Sequence, residues 1–349
     1  MFESKKLFTS LKSLLEPHGD DSFIGVRTKD KHLEFFVQGM TVASIMSTPV
    51  TLTVPTGMVN AKALLAAVSA AGKTVVLEFT EAEHATLHVG RASLTMREAP
   101  DAAVFDSKLS DVPDCVQRVI AERLPDTFVP ASPKSVFGWE IIVEAGIAEY
   151  GSANGPQAIY EYTKIPAKDY SIRFPHEAVV SMAKIIGKST RIQTGKSLIV
   201  VHVGDVCHYI PTMADAPSIS LDDVVEIIKV KGDTVDKLAD LKDSIETLLP
   251  FAAGDTKITF TSAKNTLVAG AASSIGETSV VLGVTLKDYA FTQSVQQALP
   301  LTKYAASAKV GLSIIPQAHD KHKIKALVMR TITDRNDQVY TRYYMAAAS

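Results

Sequence analysis

Apolar residues along this chain follow two spacings in alternation, one of three or four positions and one of two. Leu7, Leu11, Leu14 and Leu15 gather on one side of a wheel turned by about 100° per residue, which predicts a helix over 3–16 with a buried leucine face. Leu64, Ala67, Val68 and Ala71 predict a second helix over 58–73. Val116, Val119 and Ile120 predict a third over 112–124, and Val179, Met182, Ala183 and Ile186 a fourth over 175–188. Leu238, Ile245 and Leu249 place a fifth over 235–249, and a sixth is expected near 292–298. Between them, alternating or β-branched stretches such as 74–80 and 198–203, bounded by Gly, Asn and Asp, predict strands.

The order of elements recurs. Residues 52–96, 170–213 and 289–345 each begin extended, pass through a short amphipathic helix and finish in strands. Val54-Pro55 and Phe174-Pro175 lead into the helices of the first two, where a missing N–H is no loss, and Gly90 and Gly204 punctuate their last hairpins. Upstream of each segment lies another helix followed by strands. Six helix-plus-sheet units therefore pair into three domains of about 110 residues, a size that holds one core. Periodicity lapses around 99–111 and 214–223, giving expected domains 1–110, 111–222 and 223–349. The expected fold class is α+β, with two helices packed on antiparallel sheets in each domain.

The helix faces opposite the apolar stripes share a sign. Lys5 and Lys12 lie there on the first helix, Lys62 and Lys73 on the second, Arg118 on the third, and Lys184 and Lys188 on the fourth beside Glu177. On the sixth, Gln293, Gln296 and Gln297 are expected outward, with Lys303 beyond Pro300. Segments 3–16, 58–73, 175–188 and 292–308 are each net positive, although the whole chain carries 36 Lys and Arg against 38 Asp and Glu, a formal charge of −2. Positive charge is thus concentrated where a phosphate-tracking surface needs it. The fifth helix dissents, presenting Asp236, Asp240 and Asp243 with Lys237 and Lys242 only flanking.

Composition narrows the remaining choices. At 349 residues, 46% hydrophobic and 21% charged, the chain is neither disordered, collagenous nor coiled-coil, and its charge balance excludes a wholesale polycationic wrapper of nucleic acid. Cys115 and Cys207 lie far apart without a Cys-x-x-Cys pair, which points to a reducing cytoplasm. No stretch approaches the roughly 18 apolar residues of a membrane span, and the first residues lack the apolar run of an export leader, so a soluble cytoplasmic protein is expected. Phosphate-loop, dinucleotide, zincin and hydrolase motifs are missing, so neither cofactor nor catalytic set is expected. His84 with His88, His202 with His208, and His319-Asp320 with His322 read as hairpin side chains rather than metal ligands. Cys207 reads as a small buried residue and Trp139 as core.

Three domains, each a duplicated helix-plus-strands unit with basic helix faces, resemble the bacterial sliding clamp, the β-type DNA polymerase processivity factor. The stretches VTLTVPTGMVNAKALLAAV, VVLEF and ATLHVGRASLTMREAP are similar to the second half of a clamp's first domain. EYGSANGPQAIYEYT is similar to the middle-domain hairpin that carries a TDGHRL-like turn. The resemblance implies a ring of two copies around duplex DNA, contacted without regard to sequence by Lys5, Lys12, Lys62, Lys73, Arg118, Lys184 and Lys188. It implies a DNA polymerase and a clamp loader as partners, docking by short peptides in a groove that Asn154, Gly155, Pro156, Gln157, Ile219, Leu221, Tyr344 and Met345 would line. Pro156, Gln157 and Ala158 replace the His-Arg-Leu of the family turn, and the tail matches only at Met345, so the groove chemistry must differ. A divergent, phage-encoded clamp fits these departures. The competing readings are a structural or adaptor protein, such as a virion component, that does not encircle DNA, and an enzyme with an unrecognised site.

Overall fold

The computed structural model describes residues 2–19, 22–39, 42–51, 53–81, 85–99, 108–128, 137–153, 157–195, 198–211, 221–229, 233–236, 240–252, 257–285, 287–288, 290–294, 309–315, 325–335 and 338–348. Six α-helices occur among them: α1 (Ser4–Leu15), α2 (Ala61–Ala70), α3 (Asp114–Thr127), α4 (His176–Met182), α5 (Leu221–Lys229) and α6 (Leu241–Leu248). The chain packs into two units, 1–125 with 177–215, and 126–176 with 216–349. Every strand pairing among the described residues is antiparallel.

The first unit is built on an eight-stranded sheet. Its spatial order is Ser110–Asp111, Arg191–Thr194, Leu198–Val203, Val206–Pro211, Ala43–Pro49, His32–Gln38, Phe23–Lys29 and Gly57–Asn60. Strands from the first and middle thirds of the sequence therefore share one sheet, joined where Val206–Pro211 pairs with Ala43–Pro49. Leu7, Leu11, Leu14 and Leu15 of α1 pack with Leu64 and Val68 of α2 against Ile24, Val26, Phe35 and Val37. Burying each such side chain stabilises by about 1.5–3 kcal/mol relative to leaving it in water. Gly25 opposes Phe36 across two strands, and a Cβ there would stand 2.2 Å from the Phe36 ring, so the ring lies flat over bare backbone. A separate three-stranded sheet of Leu77–Glu81, Ala85–Val89 and Ala92–Thr95 contributes Leu87 and Val89 to the same core.

The second unit holds another eight-stranded sheet, in the order Tyr170–Phe174, Phe137–Glu144, Ile147–Ala153, Gln157–Lys164, Gln338–Ala348, Lys325–Arg335, Lys309–Ile315 and Asp233–Thr234. Trp139 is fully buried with its ring 5.8 Å from those of Tyr150 and Phe174, and its indole Nε1 donates to Thr127 Oγ1 at 2.7 Å. That satisfies the polar end of the largest core side chain. Glu161, 1% exposed, accepts from Tyr150 Oη at 2.5 Å and from Arg342 Nε at 2.8 Å. On the same unit α6 buries Leu241, Ile245 and Leu248 against Ile258, Phe260, Leu267 and Phe291 of a four-stranded sheet.

Three hairpin turns share one backbone geometry. Asp30 and Lys31, Ala145 and Gly146, and Lys264 and Asn265 are the central pairs of three hairpins, and all six residues have positive φ, from 48° to 77°. Two consecutive positive φ values make the primed turn that matches strand twist. Gly90 and Gly204, expected at equivalent hairpins, both have φ 59°.

Several expectations need correction. Helix α2 starts at Ala61, not 58, because residues 57–60 pair as a strand with Phe23–Lys29 and the Asn60 side chain then caps the helix by accepting from Ala63 N at 3.1 Å. The fifth predicted helix is shorter: Asp233–Thr234 is a strand, Asp236 bridges to Val284, and α6 begins only at Leu241. Helix α5 lies in a stretch whose start was read as a boundary. Gln293, expected outward on a sixth helix, sits in the strand Ala290–Ser294 and is 1% exposed, whereas Gln296, Gln297 and Lys303 lie outside the described residues. Cys207 is only partly buried, its Sγ 3.3 Å from His202 Nδ1.

Candidate nucleic-acid and partner surfaces

Four helices of the first unit present cations. Lys5 and Lys12 are exposed on α1, the latter with Nζ 4.9 Å from the centre of the Phe8 ring. Lys62 is exposed in the first turn of α2 and Lys73 just beyond its end. Arg118 is exposed on α3, and Lys184 follows α4. Each is outward because the apolar stripe of its helix, Leu7 and Leu11 on α1, Leu64 and Val68 on α2, Val116 and Ile120 on α3, and Val179 and Met182 on α4, takes the other side. Lys188 is exposed too, but its Nζ lies 2.5 Å from Glu16 Oε1, so its charge is largely neutralised. Lys6, on the same helix as Lys5, pairs with Asp205 at 3.0 Å.

The acidic face of α6 has a local cause. Asp240 is the residue before the helix, and its carboxylate accepts from Asp243 N at 3.0 Å. Aspartates at this end satisfy orphan N–H groups and oppose the positive end of the helix dipole.

The residues expected to line the groove fall on the second unit. Gln157 is 8% exposed and pairs with Ala346, and Met345 stands between Ala158 on one side and Val328 on the other. Tyr344, one position along, pairs with Ile159 and Met329. Leu221 opens α5 and is 1% exposed, and its backbone N donates to Glu140 Oε2 at 3.2 Å. Asn154, Gly155, Pro156 and Ile219 lie outside the described residues. Register thus brings Gln157 and Met345 to one sheet region, and Leu221 packs beside them on Ala158 and Tyr160.

The sequence reading missed an aromatic strip on that face. Tyr160 has its ring 5.8 Å from Tyr343 and 6.0 Å from Tyr162, and the Arg330 guanidinium lies 5.9 Å from the Tyr343 centroid. Tyr160 Oη donates to Glu149 Oε1 at 2.6 Å, and burial, followed by that bond, raises its pKa far above the ordinary phenol value. The available signal was the alternation in QAIYEYT, which places tyrosines 160 and 162 on one side of a strand.

A cavity of about 630 Å³ opens on the four-stranded sheet, and among the described residues Glu277 is the one titratable group in its Thr, Ser, Gly, Ala and Val lining. Among the described residues no three His, Cys, Asp or Glu side chains are grouped to hold a metal ion. His88 bonds Thr80 and Ser93, and His202 bonds Gln193, while His84 and the His319-Asp320-His322 cluster lie outside the described residues. No described helix is long and apolar enough to cross a membrane.

Solved structures share this architecture from end to end. A DNA polymerase sliding clamp from Pseudomonas aeruginosa superposes with a TM-score of 0.73 at 12% identity, over 100% of this chain and 98% of that one. The chain has the sliding-clamp fold. A C. crescentus β sliding clamp gives 0.73 at 13% identity over 100% and 97% of the two chains. A Helicobacter pylori β clamp bound to a DNA ligase peptide gives 0.64 at 13%, over 99% and 98%. No family model and no curated protein matches the sequence. The sliding-clamp fold is kept here by a core pattern with little identity behind it, and the α+β class expected from the repeat is the class observed.

Proposed function

We propose that the chain is a DNA polymerase processivity factor, a sliding clamp whose two copies close into a ring around duplex DNA. The observation that carries this reading is the end-to-end likeness to sliding clamps, covering 99–100% of the chain. Exposed Lys5, Lys12, Lys62, Lys73, Arg118 and Lys184 supply the sequence-independent phosphate contacts. A closed ring is held by topology, so weak contacts suffice and strong ones would impede sliding. This agrees with a modest cluster of cations on a chain that is net −2.

In this reading the chain catalyses nothing and has three domains, 1–110, 111–222 and 223–349, so that six domains complete a two-copy ring. The strand Gly276–Val284 ends its sheet with Val281 58% exposed, and such an edge is a ready partner for another strand. The polymerase and the clamp loader dock at the sheet region of Gln157, Leu221 and Met345. The setting is the cytoplasm of a bacterium, or of an infected host cell for a phage-encoded clamp. Electron microscopy of the purified protein, with its mass in solution, is the test. Open-centred rings of twice 37.5 kDa that stimulate processive synthesis are expected. Particles that neither form rings on DNA nor stimulate a polymerase would return the chain to the adaptor class.

A further inference from the structure

On the face of the first unit's sheet turned away from α1 and α2, register draws polar side chains from four strands together. Arg191, His202 and Cys207 stand opposite one another in one rank, and Asp111, Gln193, Val200 and Tyr209 in the next. Val206 and His208, to either side of Cys207, are fully buried, and Val206 packs with the leucines of α1, so the alternation of the strand sends Cys207 to the other face. There Cys207, His202, Gln193 and Tyr209 are all half-buried. Their hydrogen bonds form one chain. Arg191 donates to the Asp111 carboxylate from Nε at 2.7 Å and from Nη2 at 3.0 Å. The Gln193 amide donates to the same carboxylate, which leaves its Oε1 to accept from His202 Nε2 at 2.8 Å. With its proton held on Nε2, His202 turns the lone pair of Nδ1 toward Cys207 Sγ, 3.3 Å away. The Tyr209 hydroxyl donates to the same sulfur. A nucleophile, a base within reach of its proton, a group that orients the base and a donor for the charge left on sulfur are thus assembled.

We propose that Cys207 is a site of mixed-disulfide formation with small disulfides, and that His202 is its base. Burial pushes the Cys207 thiol up, and burial followed by the Arg191 charge pushes His202 down, so the resting pair at neutral pH is a thiol and a free imidazole. Cys207 Sγ passes its proton to His202 Nδ1 and attacks one sulfur of the disulfide. A new S–S bond forms, the old one breaks, and the departing thiolate takes the proton from His202 and leaves as a thiol. The reagent is reduced to that thiol as Cys207 is oxidised. A half-buried sulfur suits a small reagent rather than a second protein. None of these residues belongs to the cation faces of the helices, so the site holds whether or not the chain is a clamp.

The test is to incubate the reduced, unaltered protein with oxidised glutathione and to locate the adduct by peptide mass mapping. A thiol that depends on its own ionisation gains about tenfold in rate per pH unit below its pKa. Adduct at Cys207 is expected, at a rate that changes less than about threefold between pH 7 and pH 8, because His202 is already the free base there. Adduct at Cys115 alone, adduct at neither cysteine, or about a tenfold rise at Cys207 over that unit overturns the proposal. In a Cys115→Ser background, His202→Gln should slow the reaction of Cys207 at least about tenfold at pH 7 and bring back the steep rise with pH. An unchanged rate there overturns the proposal too, and where that variant does not fold the pH profile of the unaltered protein decides.

Discussion

Ser44 hangs between two imidazoles, His18 Nε2 at 2.7 Å and His208 Nδ1 at 2.8 Å, and both Ser44 and His208 are fully buried. His208 Nε2 has no partner. A proton on His208 Nδ1 donated to Ser44, with Ser44 donating to His18, leaves only a lone pair unmet at Nε2, whereas the reverse order would strand a buried N–H. Burial, helped by Lys184, lowers the His18 pKa to about 4, and burial, helped by His18 and His202, lowers that of His208 to about 3. Unfolded histidines take up protons near pH 6.5 and these two do not, so their contribution is full above that pH and shrinks as pH falls toward 4. The loss is up to about 1.4 kcal/mol per pH unit per histidine. Urea unfolding at pH 7 and pH 5 should show the drop, and His208→Gln should be less stable at pH 7 yet flatter between the two; an unchanged slope would place the acid sensitivity elsewhere.

Helix ends follow similar local rules. Replacing Asp240 by Ala removes the acceptor for Asp243 N and should lower stability by about 1 kcal/mol in urea unfolding, with Asn restoring most of it. The faces of α1, α3 and α4 were legible because leucine, valine and isoleucine spacing reports burial directly, and Leu7, Leu11, Val116, Ile120, Val179 and Met182 are all within 4% of full burial. Helix α5 had the same spacing in Leu221, Val224 and Val225, but the Pro, Ser and Asp before it masked the pattern as a linker. Gln293 misled for a different reason. Its polarity suggested solvent, and in a strand of alternating sides only the pairing with Ile258 reveals that it faces inward. The basic helix faces were readable residue by residue, whereas the tyrosine strip needed a strand from position 343 beside one from position 160.

At the scale of the whole chain, the proposed function rests on charge placed on faces. Lys62→Glu with Lys73→Glu should abolish most polymerase stimulation and make the salt dependence of DNA binding shallower by about one unit per lysine. The thermal midpoint should hardly change, since both side chains are exposed. Lys188→Glu, already balanced by Glu16, should do much less, and equal effects would argue against a phosphate-facing role for the pair. The hairpin turns at Gly90 and Gly204 could be read from sequence because turns are local. Which strand joins which sheet could not, since Ala43–Pro49 meets Val206–Pro211 across more than 150 positions. That one seam has a consequence during synthesis. The strand Ala43–Pro49 emerges from the ribosome early and waits for a neighbour encoded about 160 codons later, some 8–30 s at ordinary elongation rates. Throughout that interval the nascent chain carries a bare apolar edge, the very feature that invites aggregation between neighbouring ribosomes on one message. Slow translation before codon 206 should therefore lower the soluble yield more than the same pause placed once residues 206–211 have left the ribosome.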